Sequence, residues 1–116
     1  MDKIKKYEKA ILSILSDYVK LRYSNVDGEN NLIVDKQNHR YLVMTIGRYK
    51  DGPDKGQLIH DSPMHFDIID DKIWVQRNMT EWNVGEMLEK QGVPAADIVI
   101  GFLPDYMREY SESATA

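Results

Sequence analysis

The chain has 116 residues, and its 15 basic and 19 acidic side chains give a formal net charge of -4. This length predicts one domain, residues 1–116, that buries roughly two thirds of the surface its unfolded chain exposes. The acidic balance argues against direct DNA binding, and no run of about twenty apolar residues predicts a membrane span. Cysteine is absent, which excludes disulfides and thiolate metal sites and favours a reducing cytoplasm as the compartment.

The first predicted element is an amphipathic helix from Asp2 to about Leu21. Its apolar side chains recur every three or four residues, which is the spacing of one helix face. Four early lysines fall largely on the other side, where a solvated surface is a simpler interpretation than a nucleic-acid contact. The segment is therefore predicted to be a helix of the folded domain and not a secretion signal. The apolar positions are Ile4, Tyr7, Ile11, Ile14, Leu15, Tyr18 and Leu21, and the lysines are Lys3, Lys5, Lys6 and Lys9.

A loop and a hairpin are predicted next. Turn-forming residues from Ser24 to Asn31 predict the loop, and two strands follow, Leu32 to Lys36 and Arg40 to Tyr49. They join at Gln37 and Asn38, where asparagine tolerates a positive φ. The segment YLVMTI is apolar on both alternations, which predicts an inner strand that is covered on both faces or buried in a contact between subunits.

The third strand is predicted to run from Gln57 to Ile69, after a flexible tip from Lys50 to Gly56. Ser62 and Pro63 interrupt it, because proline has no N–H to donate to a neighbouring strand. A bulge or an edge position is therefore expected there.

The segment from Met64 to Asn78 predicts a hairpin whose register follows from an acidic two-residue turn at Asp70 and Asp71. One face of this hairpin is apolar, and the other collects an imidazole, a carboxylate, an indole and an amide. The predicted pairs are Ile69 with Lys72, Ile68 with Ile73, Asp67 with Trp74, Phe66 with Val75, and His65 with Gln76.

A short helix is predicted between Met79 and Gly92, capped by Asn83 or Thr80 and ended by the glycine. A turn and an extended segment over residues 98–102 follow, and the last stretch offers at most one or two helical turns. The fold class is therefore α+β: an N-terminal amphipathic helix packed on a meandering antiparallel sheet, with a short C-terminal helical segment.

Catalytic chemistry finds little support in the sequence. His65 and Asp67 point the same way from one strand, which is the spacing of a metal or acid–base pair, but a hydrogen-bonded surface pair is the favoured interpretation. The chain's own residues or a second copy are expected to cover Trp74, and Arg108 to pair with a carboxylate of its own domain. No G-x-S-x-G motif occurs. We predict no catalytic residue, no metal site and no cofactor.

An ordered set of residues resembles the XisI family of cyanobacterial excision controlling factors. The likeness covers nearly the full chain, from the N-terminal DKIKKYEKAILSIL onward. Arg48 departs from it, because the family pattern has a tryptophan after the glycine at this point. The matching segments are His65-Phe66-Asp67-Ile68, Lys72-Ile73-Trp74-Val75-Gln76, Asn78, Thr80-Glu81, Gly92-Val93-Pro94, Asp97 to Phe102, Pro104 and Arg108.

The resemblance implies a single α+β domain that helps control excision of the fdxN element, a DNA rearrangement of heterocyst differentiation and nitrogen fixation. It implies two partners, the recombinase XisF and an endonuclease-fold companion, XisH. We expect an accessory, non-enzymatic protein that contacts a XisH-like protein through His65, Asp67, Trp74 and Gln76 or through the C-terminal segment that includes Arg108. A metal-dependent nuclease subunit using His65 and Asp67, a direct DNA-binding module, and self-association through YLVMTI or Trp74 stay open.

Overall fold

The computed structural model describes residues 2–106, in which a five-stranded sheet carries its helices on one face. Helix α1 spans Lys3–Val19 and helix α2 spans Val84–Lys90. Strands β1 to β4 form an antiparallel meander, and the short β5 lies parallel to β4 at the edge. The predicted α+β class is confirmed. The strands are β1 Val26–Asp35, β2 Arg40–Tyr49, β3 Leu58–Ile69, β4 Lys72–Asn78 and β5 Ile98–Ile100.

Helix α1 forms where the apolar spacing predicts it. Asp2 caps its start, since the carboxylate accepts a hydrogen bond from the backbone N–H of Ile4 at 2.9 Å. Its apolar stripe packs on the sheet together with side chains of α2, while the polar side faces water. The buried residues of this helix are Tyr7, Ala10, Ile11, Ile14, Leu15 and Tyr18.

Strand β1 begins earlier than predicted, because Val26 to Asn31 pair with β2 instead of forming a loop. Local sequence disfavours a strand here, but β2 offers a full row of backbone partners, and this pairing outweighs the weak intrinsic preference of turn-type residues. The hairpin turn also differs in detail, because the positive φ of 54° belongs to His39 and not to Asn38.

Strand β3 carries the predicted irregularity. The pairing of β2 with β3 shifts register between Val43 and Thr45, opposite Ser62 and Pro63. A bulge accommodates the proline, whereas an edge position is excluded because β3 lies between β2 and β4.

The C-terminal portion follows the predicted order. Asn83 caps α2 by accepting a hydrogen bond from the N–H of Glu86 at 3.1 Å, and Gly92 follows the helix with a φ of 93°. A 3-10 turn over Ala95–Asp97 leads into β5. Arg108 lies outside the described residues.

The main core lies between the helices and one face of the sheet. Tyr41 and Val43 of β2 point into it and are fully buried, whereas Leu42 and Met44, on the other face, are only half-buried. Within residues 2–106 the chain does not cover YLVMTI on both faces, since both helices pack on the same face. The other predicted alternative, burial in a contact between subunits, stays a prediction. No helix in this part of the chain is long and apolar enough to cross a membrane.

Candidate partner-binding face

The sheet surface that faces away from α1 and α2 is called the open face here. It carries an apolar group on β1 and β2 and a polar group on β3 and β4, which the pairing of neighbouring strands places side by side. Its apolar residues are Ile33, Leu42, Met44 and Ile46, and its polar and aromatic residues are His65, Asp67, Trp74 and Gln76.

Asp67 is the centre of the polar group. His65 Nε2 lies 2.8 Å from one carboxylate oxygen, and the side-chain amide of Gln76 donates to the other oxygen at 3.1 Å. Asp67 is 8% exposed and is the buried charged residue of this part of the chain. Its two hydrogen bonds offset the cost of burying a charge.

A bulge in the β3–β4 hairpin shapes this group. Asp70 and Asp71 form the predicted turn, with left-handed φ values of 52° and 62°. Four predicted pairs are confirmed, but the register shifts after Phe66, so that His65 lies opposite Arg77 and not Gln76. The predicted pairing of His65 with Gln76 is wrong, because the extra residue of the bulge re-aims the β4 side chains. Their amide and imidazole nevertheless meet at Asp67.

Trp74 borders the same group, directly opposite Asp67 on β4. Its indole is half-buried, and the chain after β5 passes beside it. A Cβ on Gly101 would lie 2.5 Å from Oε1 of Gln76 and 3.0 Å from a ring carbon of Trp74. Glycine therefore allows this segment to run against both side chains, while its N–H bonds the carbonyl of Val75 at 2.8 Å. The expectation that the chain itself partly covers Trp74 agrees with this contact.

The apolar half of the open face is accessible. Ile33 is 45% exposed and Ile46 is 43% exposed, whereas Tyr41 and Val43, on the helix side of β2, are fully buried. Leu42 sits between Ile33 and His65 in the register and so links the apolar group to the polar one. An exposed apolar patch bordered by polar residues is typical of a surface that binds another protein.

Both oxygens of Asp67 are engaged by neighbours, and residues 2–106 contain no group of three histidine, aspartate or glutamate side chains placed to hold a metal ion. The early lysines lie away from this face. Lys3 pairs with Asp97 at 3.0 Å on the helix side.

The helix side carries strongly perturbed tyrosines, which sequence reasoning did not identify. Burial, together with a hydrogen bond to Asp97, raises the pKa of Tyr7 to about 12. That hydrogen bond, helped by Lys3, lowers the pKa of Asp97. Burial and a 2.7 Å bond to Glu8 raise the pKa of Tyr41. These bonds fasten α1 to β2 and to the turn before β5, and only the regular helical spacing of Tyr7 signalled its burial in advance.

Comparison with known proteins agrees with this fold. The XisI protein family matches residues 1–115. A XisI-like protein from Anabaena variabilis ATCC 29413 is 35% identical, with a TM-score of 0.82 over 94% of this chain and 95% of that chain. The fdxN element excision controlling factor XisI from the same organism is 27% identical, with a TM-score of 0.75 over 92% of this chain and 99% of that chain. A search of curated proteins gives no significant match. The matches over nearly the whole length, in sequence and in structure, show that the chain belongs to the XisI family.

Proposed function

We propose that the protein is an accessory controlling factor for programmed excision of an fdxN-type DNA element in heterocyst-forming cyanobacteria. It acts through protein partners, a XisH-like endonuclease-fold protein and a site-specific recombinase, in the cytoplasm. The XisH-like protein binds the open face. Support for the role comes from family membership and from the similarity to a protein named fdxN element excision controlling factor XisI.

One observation supports the choice of this surface. The half-exposed apolar group of the open face lies directly beside its polar group, on a sheet face that neither α1 nor α2 covers. Protein interfaces combine an apolar centre with a few well-oriented polar groups. Leu42, Met44 and Ile46 supply the apolar area, and the hydrogen bonds of His65 and Gln76 hold Asp67 in one orientation. The rigid backbone of a central strand pair presents these groups with little loss of conformational entropy on binding.

Co-purification with the XisH-like protein of the same cell tests the proposal. We expect Met44→Glu and Trp74→Ala to weaken binding by at least about tenfold, since central interface side chains contribute more than about 1.4 kcal/mol each. Lys5→Ala, on the exposed side of α1, is the matched control and keeps wild-type affinity. Binding of both open-face variants at wild-type strength would overturn the assignment of the surface.

The two alternative functions predict different results. A nuclease subunit would cleave supercoiled plasmid in the presence of magnesium or manganese and lose that activity in His65→Ala and Asp67→Ala. A DNA-binding module would shift a labelled duplex, with an affinity that falls steeply with salt and is reduced in Lys5→Ala. We expect neither result, because both carboxylate oxygens of Asp67 are occupied and the net charge is negative.

A further inference from the structure

Strand β1 forms a long edge of the sheet with few of the features that normally prevent edge pairing. It has ten residues, against three in β5 at the opposite edge. Natural edge strands are commonly protected by shortness, by lysine or proline, or by a bulge. The sequence VDGENNLIVD contains neither lysine nor proline, and its register with β2 is continuous. Its three carboxylates, Asp27, Glu29 and Asp35, lie outside the apolar stretch from Leu32 to Val34. We infer that β1 pairs antiparallel with β1 of a second copy of this chain.

The backbone of β1 offers hydrogen-bonding groups to such a copy. In β2, the N–H of Tyr49 donates to the carbonyl of Gln57, and its C=O accepts a hydrogen bond from the N–H of Gly56. Both groups of Tyr49 therefore point away from β1. Hydrogen-bonded and non-hydrogen-bonded residue pairs alternate along an antiparallel ladder, so every odd-numbered residue of β2 points its backbone groups away from β1. The β1 residues opposite these positions direct their own backbone groups to the outer edge. Leu32 and Val34 are two such residues. Their N–H and C=O groups are therefore oriented toward an incoming strand.

The side chains at the same place form an exposed apolar group. Leu32 and Val34 are each 37% exposed, and Ile33 between them is 45% exposed. Three consecutive apolar residues at a solvent edge are costly unless another surface covers them. Leu32 and Val34 lie on the helix side of the sheet, and Ile33 lies on the open face beside Leu42.

Symmetry, charge and the matching of apolar residues together favour one register. Two identical antiparallel strands in one sheet are related by a two-fold axis perpendicular to the sheet. This axis must lie midway between a residue and its own copy, so that paired side chains share a face. We name each axis by that residue. An axis at Leu32 would place Asp35 opposite Glu29, and an axis at Asn31 would place Asp35 opposite Asp27. Like charges directly opposite each other are destabilising.

An axis at Ile33 avoids both repulsions. It pairs Ile33 with its own copy and Leu32 with Val34, so that apolar residues cover apolar residues. An axis at Asn30 would avoid like-charge pairs but would place Ile33 opposite Asp27. Each Leu32–Val34 pair exchanges two backbone hydrogen bonds, because both residues direct their polar groups outward. This self-complementarity favours a second copy over an unrelated extended peptide as the occupant.

The resulting dimer has a continuous ten-stranded sheet. Its helices lie on one side, and its two open faces lie together on the other, joined by the Ile33 pair between the two Leu42 side chains. This arrangement goes beyond the proposed function, since it presents two copies of the partner-binding face in a fixed relation. Two XisH-like molecules could then bind one dimer, at sites related by the same axis.

Sedimentation of the full chain across micromolar concentrations tests the dimer. We expect a concentration-dependent dimer that Ile33→Lys converts to a monomer, because two lysines would meet at the axis. Ile46→Lys is the matched control: Ile46 has nearly the same exposure and lies on the same face, but not at the edge. A wild-type monomer at all concentrations would overturn the inference, as would an unchanged dimer in Ile33→Lys.

A cysteine scan tests the register, since the chain has no cysteine of its own. Ile33→Cys is expected to form a disulfide-linked dimer under mild oxidation, because residues in a non-hydrogen-bonded pair have Cα atoms about 4.5 Å apart, within disulfide reach. Asn31→Cys, Leu32→Cys and Ile46→Cys should cross-link more slowly. Faster cross-linking at Asn31 or Leu32 would contradict the Ile33 axis.

Partner binding by the open face and dimerisation through β1 can be tested independently of each other. Val34→Lys changes the β1 edge on the helix side and leaves the side chains of the open face unchanged. A monomeric Val34→Lys variant that still binds the XisH-like protein supports the edge dimer and leaves the open face assigned. A wild-type monomer that binds the XisH-like protein overturns the dimer alone.

Discussion

The two faces of the sheet are built from the same strands and yet have different surroundings. Tyr41, Val43 and Phe66 on the helix side are fully buried, whereas Leu42 and Met44, which alternate with Tyr41 and Val43 along β2, remain half-exposed. Alternation along a strand separates the two sets, so one strand can stabilise the fold with one set and bind a partner with the other. Under the proposed function, the apolar residues of YLVMTI that face the helices stabilise the fold, and those on the open face bind the partner.

The largest expected difference between the faces is in stability. Phe66→Ala removes a fully buried ring from the helix side and should lower the free energy of unfolding by about 3 to 5 kcal/mol. Leu42→Ala, on the open face, should cost less than about 1.5 kcal/mol, because water already reaches that side chain. Urea unfolding of both variants measures the contrast. Equal losses would mean that the open face is as well packed as the core.

Substitution of Asp67, the centre of the polar group on the open face, should have an intermediate effect on the free energy of unfolding. Asp67→Ala leaves the imidazole of His65 and the amide of Gln76 without their shared acceptor, and should cost about 1 to 3 kcal/mol. Asp67→Asn keeps one carbonyl acceptor and should cost less. The same unfolding measurement ranks the two variants. A neutral Asp67→Ala would show that the cluster is not needed to order this part of the face.

The smallest effect concerns pH and arises on the helix side. Burial raises the pKa of Tyr7 from its ordinary value near 10 to about 12. The unfolded chain therefore loses this proton at lower pH than the folded chain, and folding stability falls as pH rises from 10 toward 12. In Tyr7→Phe this decline should be shallower than in the wild type. Urea midpoints at neutral and alkaline pH provide the test, and parallel declines in both proteins would contradict it.

Local chemistry made much of this structure predictable. Two aspartates at Asp70 and Asp71 specify a tight turn, and the turn then fixes the pairs from Ile69 to Phe66. The cap of α2 by Asn83 and the bulge at Pro63 follow from equally local rules. These features need only neighbouring residues, and the sequence displays them directly.

The features that sequence missed depend on distant parts of the chain. Val26 to Asn31 form a strand because β2 is long enough to pair with them, although their own composition favours a turn. His65 lies opposite Arg77 because of a bulge that no residue in the hairpin marks. Arg108, predicted as a contact residue, lies outside the described residues, so its role stays a prediction.

The most direct test of the central claim is calorimetric titration of the XisH-like protein with wild type, Met44→Glu and Lys5→Ala, alongside their melting temperatures. We predict that Met44→Glu loses at least about tenfold in affinity while it melts close to the wild type, since a half-exposed side chain contributes little to folding. Lys5→Ala should match the wild type in both measurements. Wild-type affinity in Met44→Glu would contradict the claim that the open face binds the partner.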